Sequence, residues 1–276
     1  MNYFKIYNKD NLITTNNMQS TFPTHTHRFY EIYCFRSGNV MFSAEGNVYP
    51  LEPEDIMIFN KAETHHLILK DNTSYSRIYV HFAPTHDLDP EFGRILLSPF
   101  KDRALGMHNL YPARLSPDSK RIYYLEQICK TDDEIKKQLY LMALLHELSD
   151  DFPRIQDTPI IPSKSNISKI THYISTHITE DLSIEHLCER FYVSKSQLHR
   201  NFKNELGITV GDYILSKRLT RAQNLIQKGK KATNIYSECG FKNYTTFFKA
   251  YKKKFGYAPS KEIENINNIV PQEQIT

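Results

Sequence analysis

The sequence predicts an α+β chain, in which a small N-terminal β-barrel with helices is joined to an all-α domain carrying two helix-turn-helix units. Three observations predict it. Between about Phe22 and Phe82, short aromatic and β-branched runs are cut by Gly, Asn and Pro, the signature of a small barrel or sandwich. From about Ser116 the apolar period changes to that of helices. In the last third, one apolar stripe occurs twice, with Leu198, Phe202, Leu206 and Gly207 matching Phe247, Tyr251, Phe255 and Gly256 at a constant offset of 49 residues.

The strands follow from local composition. Phe29–Phe35, Val40–Ser43, Val48–Leu51, Ile56–Phe59 and Ile78–Phe82 are the expected strands, with turns at Ser37-Gly38-Asn39 and Glu45-Gly46-Asn47. A helix capped by Asp118 is expected to run through Thr131, with Ile122, Leu125 and Ile128 on one stripe. A second, from about Asp132 to Ser149, places Ile135, Leu139, Met142, Leu145 and Leu148 on one face, widened by Leu141 and Leu144. That stripe either packs on its own barrel or pairs with a second subunit. Residues 155–166, with Pro159 and Pro162, read as an interdomain linker.

Ser183 and Ser194 are expected N-caps, and Phe191-Tyr192-Val193 lies between the helices they open. The Leu198 stripe leaves Lys195, Ser196, His199, Arg200 and Lys203 on the outer face, and Gly207 stops the helix. A single helix over Val210–Gln227, with basic Lys217, Arg218 and Arg221, precedes the second unit. There Ile235–Cys239 is the short helix, Gly240–Asn243 the turn, Asn243 the cap and Gly256 the stop. Helix, short turn and basic-faced helix make the DNA-binding helix-turn-helix pattern.

Composition sets the limits. A chain of 276 residues with 40% hydrophobic and 12% aromatic residues is globular and long enough for two domains. The four cysteines, Cys34, Cys129, Cys188 and Cys239, form no CxxC pair, which argues against a zinc finger and fits a reducing compartment. With neither a signal-peptide pattern nor a membrane-length apolar run, a cytoplasmic protein without membrane attachment is expected. Residues 164–261 hold 18 Lys+Arg against 7 Asp+Glu, while the remainder holds 17 against 24. Only the C-terminal domain is therefore suited to a polyanion.

The C-terminal third resembles the AraC/XylS family of bacterial regulators. The resemblance lies in Leu198-His199-Arg200-Asn201-Phe202-Lys203 with Gly207, and in Gly240-Phe241, Phe247, Tyr251-Lys252-Lys253, Phe255-Gly256 and Pro259-Ser260. Tyr236 stands where the family usually has Ala and Tyr192 where Gly is frequent, and Lys261-Glu262 replaces the usual Tyr-Arg. The resemblance implies that each recognition helix enters a major groove of double-stranded DNA, with the linker helix holding the two about one DNA turn apart. By position, the base-facing candidates are Ser196, His199 and Arg200 in the first helix, and Tyr244, Thr245 and Lys249 in the second, beside its cap Asn243. Arg200 suits bidentate pairing with guanine. Lys195, Lys203, Lys252 and Lys253 suit phosphates, while Lys254 is expected to be a solvated charge. The first helix is expected to set most of the specificity.

His25, His27 and Glu31, followed by Gly38, match the first motif of metal-binding cupins. The His such sites take after a Pro-x-Gly turn is missing behind Pro53-Glu54-Asp55, and His65 and His66 come only a strand later. The segment also resembles the cupin-like sensor domain of the same regulators, through His25, His27, Phe29-Tyr30-Glu31-Ile32, Leu51, Pro53 and Asp55-Ile56. That resemblance implies a pocket for a small effector, a sugar being one candidate, lined by His25, His27, Glu31, Tyr33 and His65. No metal, cofactor or catalytic residue is expected. A mutual hydrogen bond between His27 and Glu31 that organises the barrel mouth is the other reading of that pair.

The expected organisation is then a cupin-like effector-binding barrel over residues 1–115, a helical dimerisation region over 116–152, a linker over 153–166 and a DNA-binding domain over 167–264. The expected function is an effector-responsive, homodimeric DNA-binding regulator, with RNA polymerase a further partner. The alternative is a metal-dependent cupin enzyme fused to a DNA-targeting domain.

Overall fold

The computed structural model describes residues 3–13, 24–61, 63–85, 87–159 and 166–263. The chain divides into two compact units between Ser163 and Lys164.

The first unit holds two sheets. Strands β1 (Phe4–Ile13), β2 (Tyr30–Ser37), β3 (Val40–Ala44), β4 (Asn47–Pro50), β5 (Ile56–Phe59), β6 (His65–Leu69), β7 (Tyr75–Pro84) and β8 (Leu110–Tyr111) form one sheet ordered β1-β7-β2-β5-β8 and another ordered β4-β3-β6. Alternation along β2 explains why its run is apolar throughout. Tyr30, Ile32 and Cys34 join a core shared with the helices. Tyr33 and Phe35 join a second core with Val40, Phe42 and Leu67 from the small sheet. A strand covered on both faces loses the polar alternation of a half-exposed one. The same period continues in β7, where Ile78, Val80 and Phe82 face the helices. Tyr75 packs between the sheets, with Tyr79 against that core.

Three strands depart from expectation, the shortest being the two-residue β8. β1 pairs with β7 along its whole length, yet its Asn, Lys and Asp residues have poor strand propensity. β6 brings in His65 and His66, which the sequence reading left between strands.

Helices α1 (Pro90–Leu96), α2 (Ser98–Lys101), α3 (Arg121–Lys130) and α4 (Glu134–Gln156) complete this unit. The expected cap Asp118 is not used. α3 starts after Lys120 with no side-chain cap, and Asp133 caps α4. α4 also runs past Ser149 to Gln156 with Pro153 inside it, so the start of the expected linker is helical. Residues 160–165 of that linker, like Phe22, lie outside the described residues.

The stripe α4 buries is Leu141, Leu144, Leu145, Leu148, Phe152 and Ile155. Each fully buried leucine contributes roughly 1.5–3 kcal/mol. Ile135 and Leu139, expected on that stripe, are instead 69% and 60% exposed, and Tyr123 on α3 is 51% exposed. Deeper in the unit, Glu63 and Arg103 form a fully buried ion pair at 2.7 Å. Burial alone would raise the Glu63 carboxyl, but Arg103 and the amides of Gly106 and Asn60 hold it at about 2.

The second unit is helical: α5 (Ile167–Thr176), α6 (Ile184–Phe191), α7 (Lys195–Leu206), α8 (Val210–Gln227), α9 (Ala232–Ile235) and α10 (Tyr244–Phe255). It has two cores that share one helix. Val210, Tyr213 and Ile214 of α8 pack with α5, α6 and α7. Leu219, Ala222 and Ile226 of the same helix pack with Ile235, Phe247 and Tyr251.

Candidate functional site

Local chemistry fixes both recognition helices. The Ser194 hydroxyl accepts from the Gln197 amide and opens α7, and Gly207 closes it in the left-handed region. The Asn243 side chain accepts from the Thr246 amide and opens α10, with Gly256 in the same closing role. Leu198, Phe202 and Leu206 are buried as expected, and so are Phe247 and Tyr251, whereas Phe255 is only half-buried. Upstream, Ser183 caps α6. The short helix of the second unit splits into α9 and a 3-10 turn over Ser237–Cys239, rather than one helix over Ile235–Cys239.

The outer faces differ. Lys195, Ser196, His199, Arg200 and Lys203 on α7 are all exposed. Lys203 donates to the Gly207 carbonyl at 3.0 Å, and Lys195 lies 3.5 Å from Glu185. On α10, Asn243, Thr245, Lys249, Lys252 and Lys253 are exposed, but Tyr244 is half-buried. Its ring packs edge-on against Tyr236 and also meets Phe247 and Phe248. The departure at Tyr236 thus supplies an aromatic partner that holds Tyr244 partly in the core. Lys254, expected to be merely solvated, donates to the Ser216 hydroxyl of α8 at 2.6 Å.

The basic residues of α8 are mostly structural. Lys217 is buried, with its ammonium 5.1 Å from the centre of the Tyr213 ring. Arg218 donates to the carbonyls of Ile178 and Glu180, and Arg221 to that of Glu238. The two guanidinium groups therefore tie one helix to the segment before α6 and to the turn before α10. Gly240 sits where these parts meet, at φ +79°, and an added Cβ would lie 2.7 Å from the Ile178 carbonyl oxygen and 2.5 Å from Arg218 Nε.

At the barrel mouth the structure brings together His25, His27, Glu31 and His65, whose ligating atoms lie within 4.8 Å of one another. The bridge is backbone pairing. His25 and His65 exchange amide–carbonyl bonds of 3.2 Å in each direction, which puts β6 beside the segment leading into β2. His27 Nε2 lies 2.6 Å from Glu31 Oε2, so the mutual hydrogen bond forms. His65 Nε2 lies 3.2 Å from the same oxygen without hydrogen-bond geometry. His81, not singled out in the sequence, places its Nε2 3.3 Å from that oxygen too. Its signal was the alternation of Arg77, Tyr79 and His81 along β7.

Burial pushes the His27 imidazole down to about 4. Burial alone would raise the Glu31 carboxyl, but the facing His81, His27 and His65 imidazoles take it well below its ordinary value. Tyr33 lies further inside, fully buried, with a hydroxyl that makes no hydrogen bond among the described residues. Together these atoms make a polar interior suited to a small ligand that can both donate and accept.

Two family models match the chain. A helix-turn-helix domain matches residues 187–264, and an AraC-like ligand binding domain matches residues 12–148. The chain belongs to the AraC family of transcription regulators. As an AraC-family regulator it joins a ligand-binding domain to a helix-turn-helix DNA-binding domain, and it regulates transcription in response to a ligand. One similar protein is the transcriptional activator RhaS of Escherichia fergusonii, 22% identical over 261 residues and covering 87% of each chain. Another is the uncharacterized HTH-type transcriptional regulator YbfI of Bacillus subtilis, 22% identical over 221 residues and covering 80% of this chain and 79% of that one. Among solved structures, ToxT from Vibrio cholerae, crystallised with an unsaturated fatty acid, aligns over 98% of both chains at 17% identity and a TM-score of 0.41. The curated relatives are transcription regulators rather than enzymes. Among the described residues no helix is long and apolar enough to cross a membrane.

Proposed function

We propose that this regulator reads double-stranded DNA with α7 and α10 under the control of a small polar effector bound among His25, His27, Glu31, Tyr33 and His65. What supports the DNA half is a pair of capped helices with buried apolar stripes and basic outer faces, in two units whose segments before α6 and before α10 are tied to α8 by Arg218 and Arg221. In this reading Ser196, His199 and Arg200 contact bases, with Thr245 and Lys249 adding contacts from α10. Asn243, as cap, and Tyr244, through its hydroxyl, complete the second site. Lys195, Lys203, Lys252 and Lys253 hold phosphates, which fix register without reading sequence.

The effector half rests on the buried Tyr33 hydroxyl and the convergent imidazoles. A sugar offers hydroxyls that donate and accept at once, and so can answer an imidazole lone pair, a carboxylate oxygen or the Tyr33 hydroxyl. Control requires that the effector bind one arrangement of the protein better than another. We assign the exposed apolar patch of Tyr123, Ile135 and Leu139 to a homodimer contact. The protein would act in the cytoplasm, on promoter DNA beside RNA polymerase.

Two measurements test the reading. Footprinting on the gene's own upstream DNA should protect two major grooves about one turn apart on one face, and a single protected groove would contradict the tandem assignment. A panel of sugars should include one that raises the melting temperature of the full chain, since ligand that binds only the native state stabilises it. A panel without any shift would remove the carbohydrate from the proposal.

A further inference from the structure

The ring protons at the barrel mouth lead further. His27 Nδ1 lies 2.9 Å from the Phe29 carbonyl, and His65 Nδ1 lies 2.9 Å from the Glu63 carbonyl. A carbonyl only accepts, so each Nδ1 carries a proton; the His27 Nε2 bond to Glu31 then needs a second proton on that ring, whereas a neutral His65 ring offers only a lone pair at Nε2. Both Nε2 atoms face Glu31 Oε2, at 2.6 and 3.2 Å, and His81 Nε2 faces it at 3.3 Å. A carboxylate has only lone pairs to offer in return. One negative charge can balance one added proton among these imidazoles, and the remaining lone pairs then oppose one another. His65 Nε2 shows the consequence, being buried in a side chain 1% exposed with no hydrogen bond among the described residues.

We propose that His25, His27, Glu31 and His65 hold a divalent first-row transition-metal ion. A dication between these atoms takes up the lone pairs of His65 and Glu31 that a shared proton leaves opposed. Ligating atoms within 4.8 Å of one another need a modest closure to reach the spacing of metal–nitrogen bonds of about 2.0–2.1 Å. The Nδ1-to-carbonyl bonds of His27 and His65 are the outer-shell contacts that orient metal-binding imidazoles and fix their tautomer. Three nitrogens and one carboxylate oxygen suit zinc, iron, nickel or copper better than magnesium or calcium. The expected fourth ligand, absent after Pro53, is His65, delivered by backbone pairing across 40 residues of chain. An ion here would also clip the small sheet, through β6, to the large sheet, through Glu31 of β2.

The inference rests on this cluster being the barrel's ligand-binding site, and not on which effector enters it. The full-length chain, stripped with a chelator, is titrated with Zn2+ and separately with Co2+. One ion should bind per chain, with visible absorption for cobalt and a higher melting temperature for zinc. Glu31→Gln, close in shape to the native residue, should weaken binding at least about tenfold, the scale on which even outer-shell partners of a metal count. His25→Ala, at a half-buried position, should do the same, while His146→Ala on the exposed face of α4 should bind normally. No bound ion, or binding that both cluster variants retain, would overturn the assignment. A sugar that shifts the melting temperature of chelator-treated protein without zinc binding would sink the metal and leave the effector proposal standing. Zinc binding with no response to the sugar panel would do the reverse.

Discussion

Tyr192 holds φ 54° at the C-cap of α6, with its side chain 95% exposed. A left-handed backbone costs an ordinary L-residue roughly 1–2 kcal/mol, of which glycine's looser unfolded chain gives back part. Tyr192→Gly should therefore raise stability by about 0.5–1 kcal/mol in denaturant melts, and a lower midpoint would mean that the exposed ring packs on something. Sequence alone marked Tyr192 as standing where Gly is frequent, and the structure gives the reason in its left-handed backbone. Other residues were fully legible. Ser183, Ser194 and Asn243 were read as caps because short polar side chains before an apolar stripe have one favourable use. The resemblance had put His25 and His65 in one pocket, but neither their backbone pairing nor His81 was legible in local patterns, since bringing residues from distant strands to one carboxylate depends on register.

Element by element, legibility followed how many faces a segment buries. α8 was read to its ends because its apolar positions suit only a helix. On α4, Leu139, Leu141, Leu144, Leu145 and Leu148 allow two overlapping stripes, and periodicity could not choose the buried one. The structure leaves Ile135 and Leu139 outside. Ile135→Glu combined with Leu139→Glu should convert a dimer to a monomer in sedimentation while leaving the melting temperature nearly unchanged. A dimer that survives both changes would end the assignment of this patch. β1 went unread because its polar composition hides the alternation that its pairing with β7 imposes. Gly240 offers a test of how the two helix-turn-helix units are held. Gly240→Ala meets both a left-handed backbone and the Ile178 carbonyl, so about 1–3 kcal/mol of stability should be lost. DNA affinity should fall with it, and unchanged stability would show that the two cores tolerate a shift at this contact.

At the scale of the whole molecule, an acidic ligand-binding half and a basic DNA-binding half divide the labour that the charge distribution announced. The central claim is that α7 reads bases while the flanking lysines hold phosphates. The most direct measurement is the affinity of the full chain for its own upstream DNA across a salt series, for wild type and for Arg200→Ala. Four phosphate-binding lysines per chain predict a log–log salt slope of about −3 to −4 for each chain bound. Arg200→Ala should cost about 1–3 kcal/mol on the specific site, with the slope nearly unchanged and little effect on unrelated DNA. A shallow slope, or equal losses on specific and unrelated DNA, would contradict the account.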